Sequence, residues 1–428
     1  MSSQKFRKGT PADRGKVLRF APRSASPPQA DASVWRQLLA LGPGVVTGAA
    51  DLDPSAIITA TVVGAAFGHS LLWVVLLCIP FLLTIFSVTA RIGLETRKGL
   101  LDLVREKYGR NWALAGASLT IITNLAVIIA DLMSVSDALG IILRQDREFF
   151  VAVVAFSVWY MLIFHDYRRI TRFLVLLSLP LLTYVAVAVL VSRHDIGGLI
   201  SSILVPHARL TSDYVAGLVA LFGSLLTPYI LLWQVSSRSD PGHQPHKGDA
   251  HAATLVSIVL AVSVIIAAAA VLHFPNPVDM TTRQAAEALR PAAGDWGVIL
   301  FCIGIIGAGL VALPVLVASM CYDLAQAVGW NYGLSENPWE ARSFYLLISI
   351  SMLIAGVANY LPINPVKALY WSMILAGIMT LPTLIFILLI SNDRRIMHTV
   401  NTRSQNFWIG AAAGAVVAAG FAFAVWKL

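Results

Sequence analysis

Long apolar stretches separated by short polar ones run along the chain from residue 41 to residue 426. A helix needs about 20 residues to cross the hydrocarbon core, and by that measure the pattern predicts about eleven crossings. They fall at 41–67, 71–92, 112–142, 149–164, 173–192, 214–236, 252–273, 297–327, 344–361, 368–390 and 407–426. The fourth is short, and the third and eighth are long. The expected fold class is therefore an all-α polytopic membrane protein.

Two of these stretches carry polar residues where a bilayer refuses them. Residues 42–68 read GPGVVTGAADLDPSAIITATVVGAAFG, with Asp51, Asp53 and Pro54 at the middle. A charge at that depth costs roughly 2.5–3.5 kcal/mol, so it normally faces a cavity and marks function. Pro54 adds a second cost, because proline removes a backbone donor and clashes with the preceding turn. The stretch reads as a broken helix, with Asp53 as N-cap and Pro54 as first residue of the second half. Its first half ends in the small run Thr47-Gly48-Ala49-Ala50.

The sixth stretch repeats the device, with Thr227-Pro228 near its middle and Gly223-Ser224 just before. The fifth and tenth also match, through Leu179-Pro180 and Leu381-Pro382. Sets of five crossings must be inverted relative to each other, giving a 5+5 inverted repeat of about 38–193 and 213–391. One proline in a membrane helix is commonly a kink. Two in corresponding places, one beside paired aspartates, point to a secondary transporter with its site at the midplane. Residues 38–403 form the core on this reading, and 404–428 an added C-terminal transmembrane helix. Residues 1–37, rich in Lys, Arg, Ser and Pro without a useful apolar run, read as a disordered basic tail.

Composition agrees: 57% of residues are hydrophobic and 13% charged, with mean hydropathy +0.74, far from soluble usage. Cys78, Cys302 and Cys321 all lie in apolar stretches, so they read as small core residues. An N-terminus placed inside puts most of the 31 lysines and arginines on the inner side. Only Arg144, Arg147, Arg193, Arg209, Arg283, Arg290, Lys367 and Lys427 fall outside. The positive-inside rule then sets the N-terminus in the cytoplasm, and the net charge of +8 reports topology, with no nucleic-acid partner implied.

Breaking a helix at mid-membrane frees carbonyls on one half and N–H groups on the other, and Asp53 makes the site cationic. The oxygen donors at hand are Asp51, Asp53, the Thr227 hydroxyl, the Tyr229 phenol and the carbonyls near Ala50 and Ser224, with Gln234 two turns on. An all-oxygen set suits hard divalent cations such as Mg²⁺ or Mn²⁺. Asp51 serves equally as ligand or as gating or proton-carrying group. Asp131, well inside the third stretch, is the candidate for a proton pathway. Asn124, Asp137 and Asp323 read as interior polar residues. No histidine sits at the centre of a crossing, and His243, His246 and His251 in the loop near 240–251 lack a structural zinc spacing.

With these residues placed, the chain resembles the Nramp family of divalent-metal transporters, and most closely a divergent bacterial branch of it. The motifs that carry the likeness are GPGVVTGAADLDPSAI, NLAVIIADL, LTPYILLWQ, GAGLVALPVLVASM and NPVKALYW. The resemblance implies eleven spans in a LeuT-like fold, alternating access, and metal uptake toward the cytoplasm across a bacterial inner membrane. It implies no cofactor, the metal being cargo. The family's Asp-Pro-Gly-Asn is Asp53-Pro54-Ser55-Ala56 here, so the asparagine ligand is lost. Its Met-Pro-His is Thr227-Pro228-Tyr229, so the sulfur ligand and histidine are gone; its carbonyl ligand maps to Ser224. Asp131 matches an aspartate tied to proton transport, whereas the glutamate that follows is Ser134. Loss of the thioether favours a hard cation and leaves proton coupling open.

Two other classes fit part of this pattern: a LeuT-like carrier of a small organic solute, and a cation-binding receptor that moves nothing. The matched broken helices speak against the receptor. No nucleophile–base pair, metalloprotease motif or phosphate loop points to an enzyme.

Overall fold

The computed structural model describes residues 53–164, 179–192, 211–239, 249–272, 274, 276–334 and 339–427. The basic tail, the first half of the first crossing with Asp51, and the loop carrying His243 and His246 lie outside the described residues.

The chain forms helices α1 (Pro54–Phe67), α2 (Leu72–Thr96), α3 (Leu100–Tyr108), α4 (Arg110–Leu143) and α5 (Arg147–Phe164). A 3-10 turn, Leu179–Leu182, leads into α6 (Thr183–Ser192). Then come α7 (Ser212–Leu225), α8 (Pro228–Ser239) and α9 (Asp249–Val271). After short helical turns between 277 and 296 follow α10 (Gly297–Val328), α11 (Arg342–Ala358), α12 (Pro365–Ser391) and α13 (Arg403–Lys427). Among the described residues, 8 helical spans are long and apolar enough to cross a membrane, and α1 and α11 are shorter apolar helices. The fifth expected crossing is described only from Leu179 onward, where Pro180 sits in the 3-10 turn. Its counterpart Pro382 stays inside the continuous α12.

Among the described residues, the second break is a feature of the backbone, and at the first the helix begins at Pro54 as expected. Asp53 caps α1, its side chain accepting from the Ala56 amide, with Pro54 as the first helical residue. Between α7 and α8 the helix stops at Leu226 and restarts at Pro228. The same start is used at α12, where Asn364 caps and Pro365 follows.

α4 and α10 make the most extensive helix pairing. They approach through small residues, as membrane helices do when no hydrophobic effect drives them together. A Cβ at Gly309 of α10 would meet Val135 of α4 at 2.2 Å. α7 lies even closer to α12: a Cβ at Gly223 would meet the Met373 carbonyl oxygen at 1.9 Å. Exposed Phe149, Phe156, Phe164, Leu353, Val357 and Phe421 form the outer surface, a distribution that suits lipid. The cysteines are buried and free.

Candidate functional site

The site is built where α1 begins and where α7 gives way to α8. Asp53 is 1% exposed. Its Oδ1 accepts from the Ala56 amide at 2.7 Å, and its Oδ2 accepts from the Tyr229 hydroxyl at 3.1 Å. Tyr229 is the second residue of α8, so this bond ties the first break to the second. A carboxylate has about four lone-pair positions, so two bonds leave acceptor capacity for a cation.

One residue along from Pro54, the Ser55 hydroxyl donates to Asp131 Oδ1 of α4 at 2.5 Å, both side chains being fully buried. Asp131 Oδ2 has no partner. On the far side of Tyr229, Ser319 of α10 donates to its backbone carbonyl at 3.1 Å. A line of bonds thus runs from α10 through α8 and α1 to α4.

The second break is dressed differently. The end of α7 leaves carbonyls without helical partners, and the Thr380 hydroxyl of α12 shares its one proton between the Leu226 carbonyl at 3.0 Å and the Ala376 carbonyl of its own helix at 2.8 Å. Thr227 is buried beside it. Ser224 donates its hydroxyl back to Leu221 at 3.0 Å. It also lines a cavity of about 20 Å³, together with Ala56, Ile57, Tyr184 and Ser257. That space holds about one water.

Of the residues read from sequence, Asp53, Tyr229 and Asp131 are linked directly or through Ser55. Ser224 meets the first turn of α1 around the cavity. Gln234 is buried further along α8, its Oε1 without a partner, and no hydrogen bond among the described residues joins it to Asp53. Asp51 lies outside the described residues. The link missed in the sequence is Ser55, and its signal was the serine standing where the resembling motif has glycine. Among the described residues, no cluster of three or more His, Cys, Asp or Glu is present, and the described part of the centre sets the Asp53 carboxylate beside neutral oxygens.

The two ends of the bundle differ. At one, Asp137, Arg144, Arg147, Glu148 and Arg283 line an open vestibule of about 450 Å³. At the other, Gln326 of α10 donates to Ser236 of α8 at 2.9 Å and accepts from the Leu101 amide of α3 at 3.3 Å. Arg105 bonds the Gln326 carbonyl at 2.6 Å and Asp102 at 3.1 Å, and the Tyr332 hydroxyl donates to Asp102. Burial outweighs these partners and holds the Asp102 carboxyl above the usual carboxylate range.

Known proteins resemble this chain over most of its length. The divalent metal cation transporter MntH of Pectobacterium carotovorum is 24% identical over 381 residues, covering 85% of this chain and 88% of that protein. MntH of Deinococcus radiodurans is 25% identical over 419 residues, covering 92% and 91%. Among solved structures, the Eremococcus coleocola manganese transporter superposes with a TM-score of 0.68 at 15% identity, covering 94% of this chain and 89% of that one. MhsT, solved with L-phenylalanine, gives a TM-score of 0.57 at 12% identity, covering 89% and 98%. Both share the fold, which is LeuT-like. Residues 44–426 match the family described as Natural resistance-associated macrophage protein-like. The chain is therefore an integral, multi-pass member of the Nramp family, whose characterised relatives are metal transporters and not enzymes.

Proposed function

We propose that this chain carries a hard divalent cation, Mg²⁺ or Mn²⁺, by alternating access. Cargo enters from the vestibule end and leaves at the basic end, which faces the cytoplasm with the N-terminus. The observation that carries the reading is the buried Asp53 carboxylate bonded to Tyr229 across the two helix breaks. Asp53 supplies the charge, and the Tyr229 phenol, the Thr227 hydroxyl and carbonyls near Ser224 supply neutral oxygens, with Asp51 and Gln234 behind them. Oxygen donors match Mg²⁺ and Mn²⁺, and no thioether replaces the family's sulfur to favour softer ions. Asp131, held by Ser55 next to this centre, supports a reading in which it exchanges a proton during the transport cycle.

A carrier of an organic solute shares the fold, as MhsT shows, but a buried carboxylate beside neutral oxygens suits a hard cation better. The deciding experiment is uptake into proteoliposomes with Mn²⁺, Mg²⁺ and Ca²⁺, comparing wild type with Asp53→Ala. Mn²⁺ and Mg²⁺ uptake is expected for wild type and none for the variant; equal uptake by the two refutes the site.

A further inference from the structure

A second carboxylate lies apart from the breaks. Asp323, on α10 one turn before Gln326, is 1% exposed, and neither of its oxygens has a hydrogen-bond partner. Among the described residues no ion pair reaches it. An unpaired, unbonded carboxylate at such a place is among the costlier features a folded chain can hold. Asp323 is therefore either a defect or a working group.

Its surroundings fit one kind of work. Across the seam, the Thr120 hydroxyl of α4 lies within reach of the carboxyl and 3.0 Å from the Ala117 carbonyl of its own helix, so its one proton serves one of the two at a time. With that proton on Ala117, Thr120 offers Asp323 only lone pairs, which an ionised carboxylate cannot use. A protonated Asp323 can: its O–H donates to Thr120, which donates to Ala117, and the chain of bonds closes. One turn further along α4 stands Asn124, wholly buried, with neither its amide nitrogen nor its carbonyl oxygen bonded. It offers both a donor and an acceptor on the face that carries Thr120, toward the centre of the helix.

The other groups near this end of α10 are already engaged or neutral. Asp102 and Arg105 of α3 pair at 3.1 Å, Tyr332 bonds Asp102, and the Tyr322 hydroxyl accepts from the Leu334 amide at 3.0 Å. Ser236 of α8 receives Gln326, Ser351 of α11 donates to the Leu347 carbonyl at 2.7 Å, and Cys321 is a buried thiol. A divalent ion would need several oxygens and room for its waters; a proton needs only the carboxyl.

We propose that Asp323, with Thr120 and Asn124, is a proton-binding station at the basic end of the α4–α10 seam, separate from the cation site at the helix breaks. During the cycle the carboxyl takes one proton from water and later returns it to water, with no other bond made or broken. Asp323 thus supplies a protonatable group where Ser134 has replaced the family's glutamate. The inference rests on the transport reading above only for the source of the proton movement.

The test uses the full chain in proteoliposomes, with Mn²⁺ as probe and a pH-sensitive dye inside, alongside infrared spectra of the purified protein. Wild-type Mn²⁺ uptake is expected to acidify the interior, and the spectrum to show a buried protonated carboxyl. Asp323→Asn is expected to keep equilibrium Mn²⁺ binding, lose the acidification and lose one carboxyl component from the band, seen in the wild-type-minus-variant difference spectrum beside the component Asp131 supplies. Asp323→Glu restores both, and Thr120→Val shifts that component, results that a purely structural aspartate would not give. Proton flux at wild-type rates in Asp323→Asn, or a difference spectrum without a carboxyl component, overturns the proposal. Mn²⁺ uptake that ignores Asp53→Ala overturns the metal site instead, and leaves the infrared test of Asp323 standing.

Discussion

The two helix breaks use the same backbone device and are finished in opposite ways. At the first, a proline start is capped by a charged residue whose oxygens meet a backbone amide and a phenol. At the second, Thr227-Pro228 brings no charge, and the freed Leu226 carbonyl is taken up by a neutral hydroxyl from α12. A third proline start, Asn364-Pro365, shows the device without a site: its cap bonds the Val366 amide at 2.9 Å and the segment is partly exposed. Proline and cap therefore start the helix, and the buried carboxylate is the feature that, on the proposed function, makes the first break a place for a cation. The first break supplies charge; the second supplies geometry.

The sharpest way to break this contrast is at Asp53, where the alanine variant is expected to lose metal uptake altogether, measured as above. A matching loss from Thr227→Ala would erase the difference between the breaks. Next in size is Gly223→Ala. The new methyl meets backbone of α12, which cannot swing aside as a side chain would. Overpacking of this kind costs about 1–3 kcal/mol, and is read as a lower thermal midpoint in detergent. A variant as stable as wild type would mean that the α7–α12 contact is not what holds the second break.

Tyr229→Phe removes a bond that crosses between the breaks. A hydrogen bond to a charged group is worth about 1.5–3 kcal/mol, so Mn²⁺ affinity is expected to fall by about ten- to a hundredfold, measured by equilibrium binding. Unchanged affinity would leave Asp53 oriented by its own helix alone. Smallest is Thr380→Val, which strips the hydroxyl from the Leu226 carbonyl. Stability is expected to drop by about 1 kcal/mol with Mn²⁺ affinity unchanged. An affinity loss equal to that of Tyr229→Phe would put the second break's backbone in the site on a par with Asp53.

Much of this arrangement was legible in the chain itself. Cap and proline chemistry act within three or four residues, so Asp53-Pro54 and Thr227-Pro228 declare themselves without tertiary information. Helix length follows from the apolar pattern, and α4 and α10 begin and end within two residues of the expected bounds. The motifs also sufficed to place the chain among the Nramp proteins. The Ser55–Asp131 bond, at a sequence separation of 76, and the Tyr229–Asp53 bond, at 176, were not legible. Each depends on how helices rotate about their axes, and a sequence with apolar residues on every face leaves that rotation open.

The sequence by itself determined that the chain crosses a membrane many times, that two crossings are broken, and that Asp53 stands at one break. Those are local matters of hydropathy, backbone donors and charge. Only the tertiary structure decided which polar side chains meet. It gave Asp131 to Ser55, gave Asp53 to Tyr229, and left Asp323 and Asn124 without partners on the seam between α4 and α10. The physical reason is burial: inside the bundle every polar atom must find a partner or stand exposed as the exception, and packing alone selects which.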